Sequence, residues 1–360
     1  MSDRLDRVAA LLRDRSLDAV IVSNPSNRRY LSGFTADDHA ADESSGVLIV
    51  ATGARLILSG ATNLPWAKAE APGFEPIAWE RPWPTFVGEL INDRGWRSVG
   101  FEDGTTTVAD YNTLVEALTS TTLMPLGDAI DALRAVKSDD ELQRIADVIG
   151  MTDDAFTRGV ERLKTGITER ELADHIGHVL RNLGSDGEAF PTIVASGPNA
   201  AKPHHAPGER AIKAGDPVII DMGARLDGYN GDLTRTVWVG EIEPRLAQIY
   251  DVVFEAQQAA LATVRAGITG AAVDQSVRDV CERHNLGEYI LHGVGHGLGL
   301  RVHEAPSAGP KAETALVAGQ VLTIEPGLYV EGWGGVRIED VVVIEQDGCR
   351  NLTGATKNRT

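Results

Sequence analysis

Three features are scarce in this chain of 360 residues, and each scarcity excludes a class of protein. The two cysteines, Cys281 and Cys349, are too few for a disulfide framework, and neither has a metal-type spacing. No apolar run is long enough to cross a bilayer, and the charged N-terminal stretch MSDRLDRVAALLRDRSLDAV lacks the apolar centre of a signal peptide. We therefore expect a cytoplasmic protein with structural thiols and no membrane partner.

Basic side chains are the third scarcity. The sequence has 34 lysines and arginines against 52 aspartates and glutamates, which gives a formal charge of −18. A charge of this sign repels phosphate backbones and anionic membrane surfaces, so no nucleic-acid partner is expected. The length allows two domains with a substantial core.

The first part of the chain alternates helix-like and strand-like stretches. LDAVIVS, SVGFED and SGVLIVATGARLILSG, the last as a hairpin around Thr52-Gly53, predict a small α/β domain over residues 1–131. Near LRAVKSDDELQRI, Ser138 and Glu141 have the spacing of a capping box, and apolar residues follow at helical intervals. We expect a second domain, residues 132–360, to begin with this helix.

The second domain contains a weak internal repeat. GITERELADHIGHVLRNLG, from Gly166, resembles GITGAAVDQSVRDVCERHNLG, from Gly267, and each is followed by histidine-bearing turns and a pair of strands. Each half carries two acids at matching places in its strands: Asp221 and Asp232, then Glu325 and Glu339. If the halves pack about a pseudo-twofold axis with the sheet inside, the four carboxylates converge. Cations must then offset their repulsion and desolvation.

One stretch, LHGVGHGLGLRVHEAP, supplies the histidines His292, His296 and His303 among glycines that allow a close backbone approach. Oxygen ligands with one imidazole suit hard or borderline divalent ions. In strand geometry Arg337 and Glu339 point to the same face, so the arginine is expected to hold the second oxygen of that glutamate.

Each piece alone has a plainer explanation. Asp221 and Asp232 fit turn residues, the histidine stretch fits an ordinary glycine-rich loop, and Glu339 fits the gatekeeper of an edge strand. All of them together, in order and in matched halves, favour the metal site.

Six stretches resemble successive motifs of the pita-bread metallopeptidases, in the branch of creatinase, prolidase and aminopeptidase P. They are NRRYLSGF, SGPNAAKPHH, DMGARLDGYNGDLTRTVWVG, HGVGHGLGLRVHEAP, IEPGLY and GGVRIEDVVVI. The resemblance implies an α/β (α+β) fold in which a small creatinase-type N-terminal domain precedes a pseudo-twofold pita-bread catalytic domain. It also implies a homodimer in which the N-terminal domain of one subunit borders the site of the other.

By position in these motifs, the resemblance implies two divalent metal ions per chain and five ligands: Asp221, Asp232, His296, Glu325 and Glu339. Asp232 and Glu339 would bridge the ions, Asp221 would complete one site, and His296 with Glu325 would complete the other. Manganese is the expected metal, and cobalt, zinc and iron are alternatives that this ligand set also accepts.

The implied reaction is hydrolysis of the Xaa-Pro bond of proline-containing peptides by a hydroxide that the two ions activate. Glu325 is expected to orient the nucleophile and accept its proton, and His303 and His292 to donate hydrogen bonds to the oxyanion and the neighbouring carbonyl. His204 is expected to help protonate the proline nitrogen. The adjacent His205 has no assigned role.

The length of the substrate remains open between two alternatives. The loop TADDHAADESSG holds Asp37, Asp38, Asp42 and Glu43 and no basic residue, which favours a substrate α-amine and an Xaa-Pro aminopeptidase. The alternative is an Xaa-Pro dipeptidase, or prolidase, in which Arg301, at a position where the family usually has an acid, grips the proline carboxylate.

Other members of the wider fold fit the sequence less well. A non-catalytic pita-bread binding protein and creatinase, which works without metal, are disfavoured because all five ligands are present. A methionine aminopeptidase is disfavoured because such enzymes lack the N-terminal domain.

Overall fold

The computed structural model describes residues 2–38, 40 and 42–357, and the chain forms two compact units, Met1–Arg134 and Ala135–Thr360. Two residues of the acidic loop, His39 and Ala41, lie outside the described residues. Among the described helices, none has the length and apolar character needed to cross a membrane.

The first unit is built on a mixed six-stranded sheet with the strand order β4-β3-β2-β1-β5-β6. Its strands are β1 (Ala19–Val22), β2 (Val47–Ala51), β3 (Ala54–Ser59), β4 (Glu75–Ala78), β5 (Ser98–Phe101) and β6 (Thr122–Pro125). Its helices are α1 (Ser2–Asp14), α2 (Pro25–Ser32), α3 (Leu64–Glu70), α4 (Trp83–Arg94), α5 (Val108–Ala117) and α6 (Ala129–Ala135). The predicted hairpin is the antiparallel pair β2–β3, which turns at Gly53 with a left-handed φ of 78°.

Arg28, on α2, organises the start of the acidic loop. Its buried guanidinium donates to the carbonyl oxygen of Gly46 at 2.6 Å and forms an ion pair with Asp38 at 3.1 Å. The backbone N–H of Ser45 donates to the same carboxylate at 2.7 Å. Asp38 is therefore a compensated charge, contrary to its use as a free acid in the sequence argument, because a basic residue from a preceding helix lies beneath the loop.

The second unit has four long helices: α7 (Asp139–Val160), α8 (Glu169–Asn182), α9 (Pro244–Thr263) and α10 (Gly270–Arg283). Two short 3₁₀ helices span Gly197–Ala201 and Gly287–Tyr289. The strands of the first half are β7 (Gly187–Glu188), β8 (Ile193–Ser196), β9 (Val218–Met222), β10 (Ala224–Leu226), β11 (Tyr229–Asn230) and β12 (Leu233–Val237). Those of the second half are β13 (Gly295–Gly297), β14 (Glu304–Ala308), β15 (Val321–Ile324), β16 (Gly327–Val330), β17 (Gly334–Arg337), β18 (Asp340–Ile344) and β19 (Cys349–Asn351).

The internal repeat of the sequence is present as a repeat of structure. α8 and α10 have 14 residues each, and the side chains of Thr168 and Thr269 cap their N-termini. Each cap residue also forms an isolated antiparallel bridge, Thr168 with Ala211 and Thr269 with Ala315. The predicted helix after Ser138 is α7, and its capping box is formed.

The strands lie between the two helix pairs, and β18 shows how. Val341 and Val343 pack into the core that includes residues of α7 and α8, whereas Val342 and Ile344 pack into the core of α9 and α10. Successive side chains of a strand point to opposite faces, so one strand serves both cores. The expected arrangement, helices outside and sheet inside, is confirmed.

Candidate metal centre

The four acids of the repeat converge on one cavity of about 740 Å³, which His296 also lines. Asp221 lies within β9, whereas the other three lie at strand breaks: Asp232 just before β12, Glu325 just after β15, and Glu339 between β17 and β18. At a break the side chain is not bound to the alternation of the strand, so it can turn toward the cavity. Side-chain atoms of Asp232, His296 and Glu339 lie within 4.8 Å of one another.

His296 is oriented by contacts with Thr323, on β15, and with the adjacent Gly297. Its backbone N–H donates to Thr323 Oγ1 at 2.9 Å, and Gly295 lies so close to β15 that a Cβ there would be 1.9 Å from the oxygen of Thr323. The ring Nδ1 pairs with the carbonyl oxygen of Gly297 at 3.1 Å, which assigns the proton to Nδ1. Nε2 then faces the acids, 3.3 Å from Glu325 Oε1, and is the nitrogen that a metal ion would take in place of a proton, as in histidines that bind metals.

The cluster has too little positive charge for its acids. Arg337 is the single arginine or lysine among the described residues that line the cavity. Burial, then the charges of Glu339, Asp221 and Glu325, raise the pKa of Asp232 well above its usual range. Burial and the same kind of repulsion raise the pKa of Glu339 to about 8.

His296 shows the opposite effect of the same charges. Burial lowers its pKa, but the hydrogen bond and charge of Glu325, with the charge of Glu339, outweigh burial and raise the pKa to about 9. A site that binds protons this strongly also favours cations. In addition, the buried Oδ1 of Asp221 has no hydrogen-bond partner among the described residues. Oxygen donors with one imidazole therefore fit divalent ions here.

Arg337 has a different partner from the one expected. Its Nη2 donates to Asp221 Oδ2 at 2.7 Å, and its Nε donates to Thr234 Oγ1 at 3.1 Å. The second oxygen of Glu339 is instead held by the hydroxyl of Thr234, at 2.9 Å. Arg337 and Glu339 do face the same cavity, as strand alternation predicts, but the expected partner was wrong because the guanidinium reaches Asp221, on β9.

His292 lies in a hydrogen-bonded chain behind the acids. Arg337 Nη1 donates to the Tyr329 hydroxyl at 2.8 Å, and the hydroxyl lies 2.7 Å from His292 Nε2. His292 Nδ1 pairs with the carbonyl oxygen of Gly293 at 2.7 Å, so the ring donates there and accepts from Tyr329. Both ring nitrogens are engaged, and burial lowers the pKa of His292, which favours this neutral form.

His204 and His303 line the same cavity with ring nitrogens available to a ligand. Among the described residues, no hydrogen bond to either ring is found. His303 packs edge-on against His296 with ring centroids 4.3 Å apart. By contrast, His205 Nε2 lies 2.8 Å from the buried carboxylate of Glu169, a structural contact. Arg301 is exposed on the turn that precedes His303.

Some residues of the site were not predicted from the sequence. Tyr329 lies in the noted IEPGLY stretch, but only its hydroxyl distinguishes it from other aromatic strand residues. Apolar side chains that line the cavity come partly from EAFPTIVAS, just before the noted SGPNAAKPHH stretch: Phe190, Pro191 and Ile193. Only their position next to a histidine motif in the sequence indicates that they belong to the site.

Comparison with known proteins gives two domain matches and several relatives of similar length. Residues 143–346 match metallopeptidase family M24, and residues 4–136 match the creatinase/prolidase N-terminal domain. The Xaa-Pro dipeptidase of Pyrococcus furiosus is 32% identical over 98% of this chain and 98% of its own length. A structure of an Xaa-Pro dipeptidase from Bacillus anthracis aligns with a TM-score of 0.94 at 31% identity, covering 99% of this chain and 98% of that one. A structure of an X-Pro aminopeptidase from Thermotoga maritima aligns at 0.87 and 30% identity, covering 95% and 97%.

Proposed function

The chain belongs to metallopeptidase family M24, and we propose that it is an Xaa-Pro dipeptidase. The observation that carries this choice is the similarity, over nearly the whole length of both chains, to proteins named Xaa-Pro dipeptidase. The aminopeptidase alternative rested on the acidic loop, and there Asp38 is already paired with Arg28.

Divalent ions, which family membership implies, would be held by the five residues that converge on the cavity: Asp221, Asp232, His296, Glu325 and Glu339. When bound, such ions supply Lewis-acid polarisation of a carbonyl and lower the pKa of water. We propose two ions, because four carboxylates and one arginine leave three negative charges, more than one divalent ion offsets. Manganese is proposed before cobalt, zinc or iron, which this ligand set also accepts.

Glu325 is the proton acceptor that we propose for the attacking water. Burial raises its pKa, but the hydrogen bond to His296 and the charges of His296 and Arg337 outweigh burial and lower it. The carboxylate is therefore ionised near neutral pH and can accept a proton.

Two histidines are the proposed donors to the substrate. His303 and His204 both reach the cavity, and neither ring is engaged elsewhere among the described residues. His303 would donate to the oxyanion that develops on the scissile carbonyl, and His204 would donate a proton to the leaving proline nitrogen. His292 is better assigned to holding Tyr329, since both of its ring nitrogens are engaged.

The hydrogen-bonded chain of Arg337, Tyr329 and His292 would keep the acids in place. Arg337 fixes one oxygen of Asp221 and leaves the other, Oδ1, without a hydrogen-bond partner in the part of the chain that the structure describes. Its own rotamer is fixed by Thr234 and Tyr329. Such outer contacts orient ligand oxygens before an ion binds.

The apolar side of the cavity gives a physical basis for selecting proline. Phe190, Pro191, Ile193 and Val302 line it near the histidines. A pyrrolidine ring is compact and apolar, and its tertiary amide has no N–H to satisfy, so a wall without acceptors suits it.

The products formed from two substrates test this proposal. One purified, manganese-loaded sample is offered Gly-Pro and Gly-Pro-Xaa tripeptides at equal concentration. We expect Gly-Pro to be cleaved to glycine and proline. The kcat/KM for the tripeptide should be lower than that for Gly-Pro. A higher kcat/KM for the tripeptide would instead favour the aminopeptidase. This second candidate is supported by the similarity to the Thermotoga maritima structure. Cleavage of neither substrate would reject both.

A further inference from the structure

One buried ion pair of the second unit has no role in the proposed reaction. Lys137 Nζ lies 2.5 Å from Glu304 Oε1, and the two side chains are 1% and 4% exposed. The residues are 167 positions apart in sequence. Removing one partner of a buried ion pair leaves an uncompensated charge, so the positions of Lys137 and Glu304 are strongly coupled to each other.

Glu304 directly follows His303 and lies beneath the turn that carries it. A Cβ on Gly299 would be 2.4 Å from Glu304 Oε1 and 3.2 Å from Lys137 Cε, so the backbone of the turn rests on the ion pair. The backbone N–H of Arg301 also points to Glu304 Oε2, at 3.4 Å. The pair thus fills the space under residues 299–303.

The other end of the turn is fixed to the first half of the repeat. The carbonyl oxygen of Gly299 accepts from both the backbone N–H and the side-chain Nδ2 of Asn230, each at 3.0 Å. Asn230 is two residues before Asp232. With Asn230 at one end and Glu304 beneath, the turn has few ways to move, which places the His303 ring 4.3 Å from that of His296.

We propose that Lys137 is a positioning residue, which holds Glu304 under the 299–303 turn and thereby fixes His303 at the cavity. The effect on turnover rests on the proposed function of His303, but the effect on the turn does not. A donor displaced by about 1 Å can lose about 10²-fold in rate, so a residue outside the cavity can matter this much.

The test compares Lys137→Met with Arg283→Met, which removes an exposed arginine paired with Glu255 elsewhere in the same unit. For Lys137→Met we expect kcat on Gly-Pro to fall about 10-fold or more with little change in KM. The metal content should be unchanged, and amide exchange should become faster in residues 299–304 and not around Asp221. Arg283→Met should behave as wild type.

A double-mutant cycle with His303→Ala separates positioning from general damage. If Lys137 acts through His303, Lys137→Met should cause no further loss of kcat in the His303→Ala background. An equal loss in both backgrounds, or unchanged exchange of residues 299–304, would overturn the proposal. Should Lys137→Met not fold, Glu304→Gln keeps an acceptor for Lys137 and is expected to show the same non-additivity to a smaller degree.

Failure of the proposed function gives a different result. If the wild type cleaves no Xaa-Pro peptide, the proposed reaction is rejected, whereas faster exchange of residues 299–304 in Lys137→Met still supports the positioning role. Unchanged exchange in a variant of wild-type stability rejects it.

Discussion

Glu339 and Asp340 are consecutive buried acids, and the fold surrounds them in opposite ways. Asp340 accepts from Arg235 Nη2 at 2.9 Å, from Asn351 Nδ2 at 2.7 Å, and from the ammonium group of Lys357. Two cations and an amide thus balance one carboxylate. It is a closed structural cluster that joins β12, β18 and the C-terminal segment.

Among the described residues, no lysine or arginine forms an ion pair with Glu339. The hydroxyl of Thr234 donates to it, and its other neighbours include the acids Glu325 and Asp221, which with burial raise its pKa to about 8. Thr234 and Arg235 are also consecutive, so β12 presents a hydroxyl to one face and a guanidinium to the other. Charge balance, rather than burial, therefore separates an acid that stabilises the fold from one that is available to a ligand.

The largest expected effect comes from removing divalent ions, which should affect the acids around Glu339 and leave the cluster around Asp340 unchanged. Chelation followed by dialysis should abolish turnover of Gly-Pro, because the ions that would polarise the carbonyl and lower the pKa of water are then absent. Manganese or cobalt should restore activity, and metal analysis should find two ions per chain. An active, metal-free protein would contradict the whole assignment of the site.

The two acids can be compared directly with the matched substitutions Glu339→Gln and Asp340→Asn. Loss of an outer contact to a metal ligand costs about 10- to 100-fold, so loss of a ligand in Glu339→Gln should lower turnover by more than about 100-fold. Its metal-free form should be as stable as the wild type or more so, since repulsion is relieved.

Asp340→Asn should show the reverse pattern. It leaves Arg235 and Lys357 without their carboxylate, and breaking a buried pair in this way costs about 3–5 kcal/mol in the free energy of unfolding. The folded fraction should keep its turnover and metal content. Denaturant unfolding and activity per folded molecule check both variants, and similar losses in the two would remove the distinction.

The sequence predicted the parts of the site that a motif contains and missed those that only the packing creates. The four acids and the paired helices could be found because each half of the second domain resembles the other, and His296 could be assigned among three histidines only through the family motif. The pairing of Arg337 with Asp221, and of Lys137 with Glu304, joins residues 116 and 167 positions apart, and no local pattern encodes such a contact. Nor could the sequence show that Asp340 is balanced while Glu339 is not.

Glu102, in the first unit, is a third kind of buried acid and extends the comparison to pH. Its carboxylate accepts from the backbone N–H groups of Ser23 and Asn24 at 2.6 and 2.7 Å and from Asn27 Nδ2 at 2.5 Å. Burial nevertheless raises its pKa from 4.5 to about 7, since these donors only partly oppose the desolvation. The carboxylate of Glu102 is thus bound by N–H donors, whereas that of Asp340 is paired with cations.

The sign of the pH effect follows from that shift. The folded state binds the proton more tightly than the unfolded state, so the stabilisation is complete below pH 4.5 and is lost as the pH rises toward 7. Relative to Glu102→Gln, which cannot ionise, the wild type should lose about 3 kcal/mol across this range. Denaturant unfolding of the full chain, followed by tryptophan fluorescence, measures the difference. If the free energy of unfolding of the wild type instead increased relative to that of Glu102→Gln as the pH rises, the N–H donors would outweigh burial.

Arg301 differs from these buried acids because it is an exposed basic residue. Among the described residues, no hydrogen bond or ion pair of its guanidinium is found. The smallest effect is expected for its substitution. If it attracts the proline carboxylate of a dipeptide, Arg301→Gln should lower kcat/KM for Gly-Pro about fivefold, the scale of an exposed ion pair. Gly-Pro-amide, which has no carboxylate, should be cleaved equally by both forms, and added salt should narrow the gap for Gly-Pro because it screens exposed charges. Arg283→Gln, on the surface of α10, is the matched control. An equal loss with the amide would mean that Arg301 acts through the turn that carries His303, and the carboxylate would then need another partner.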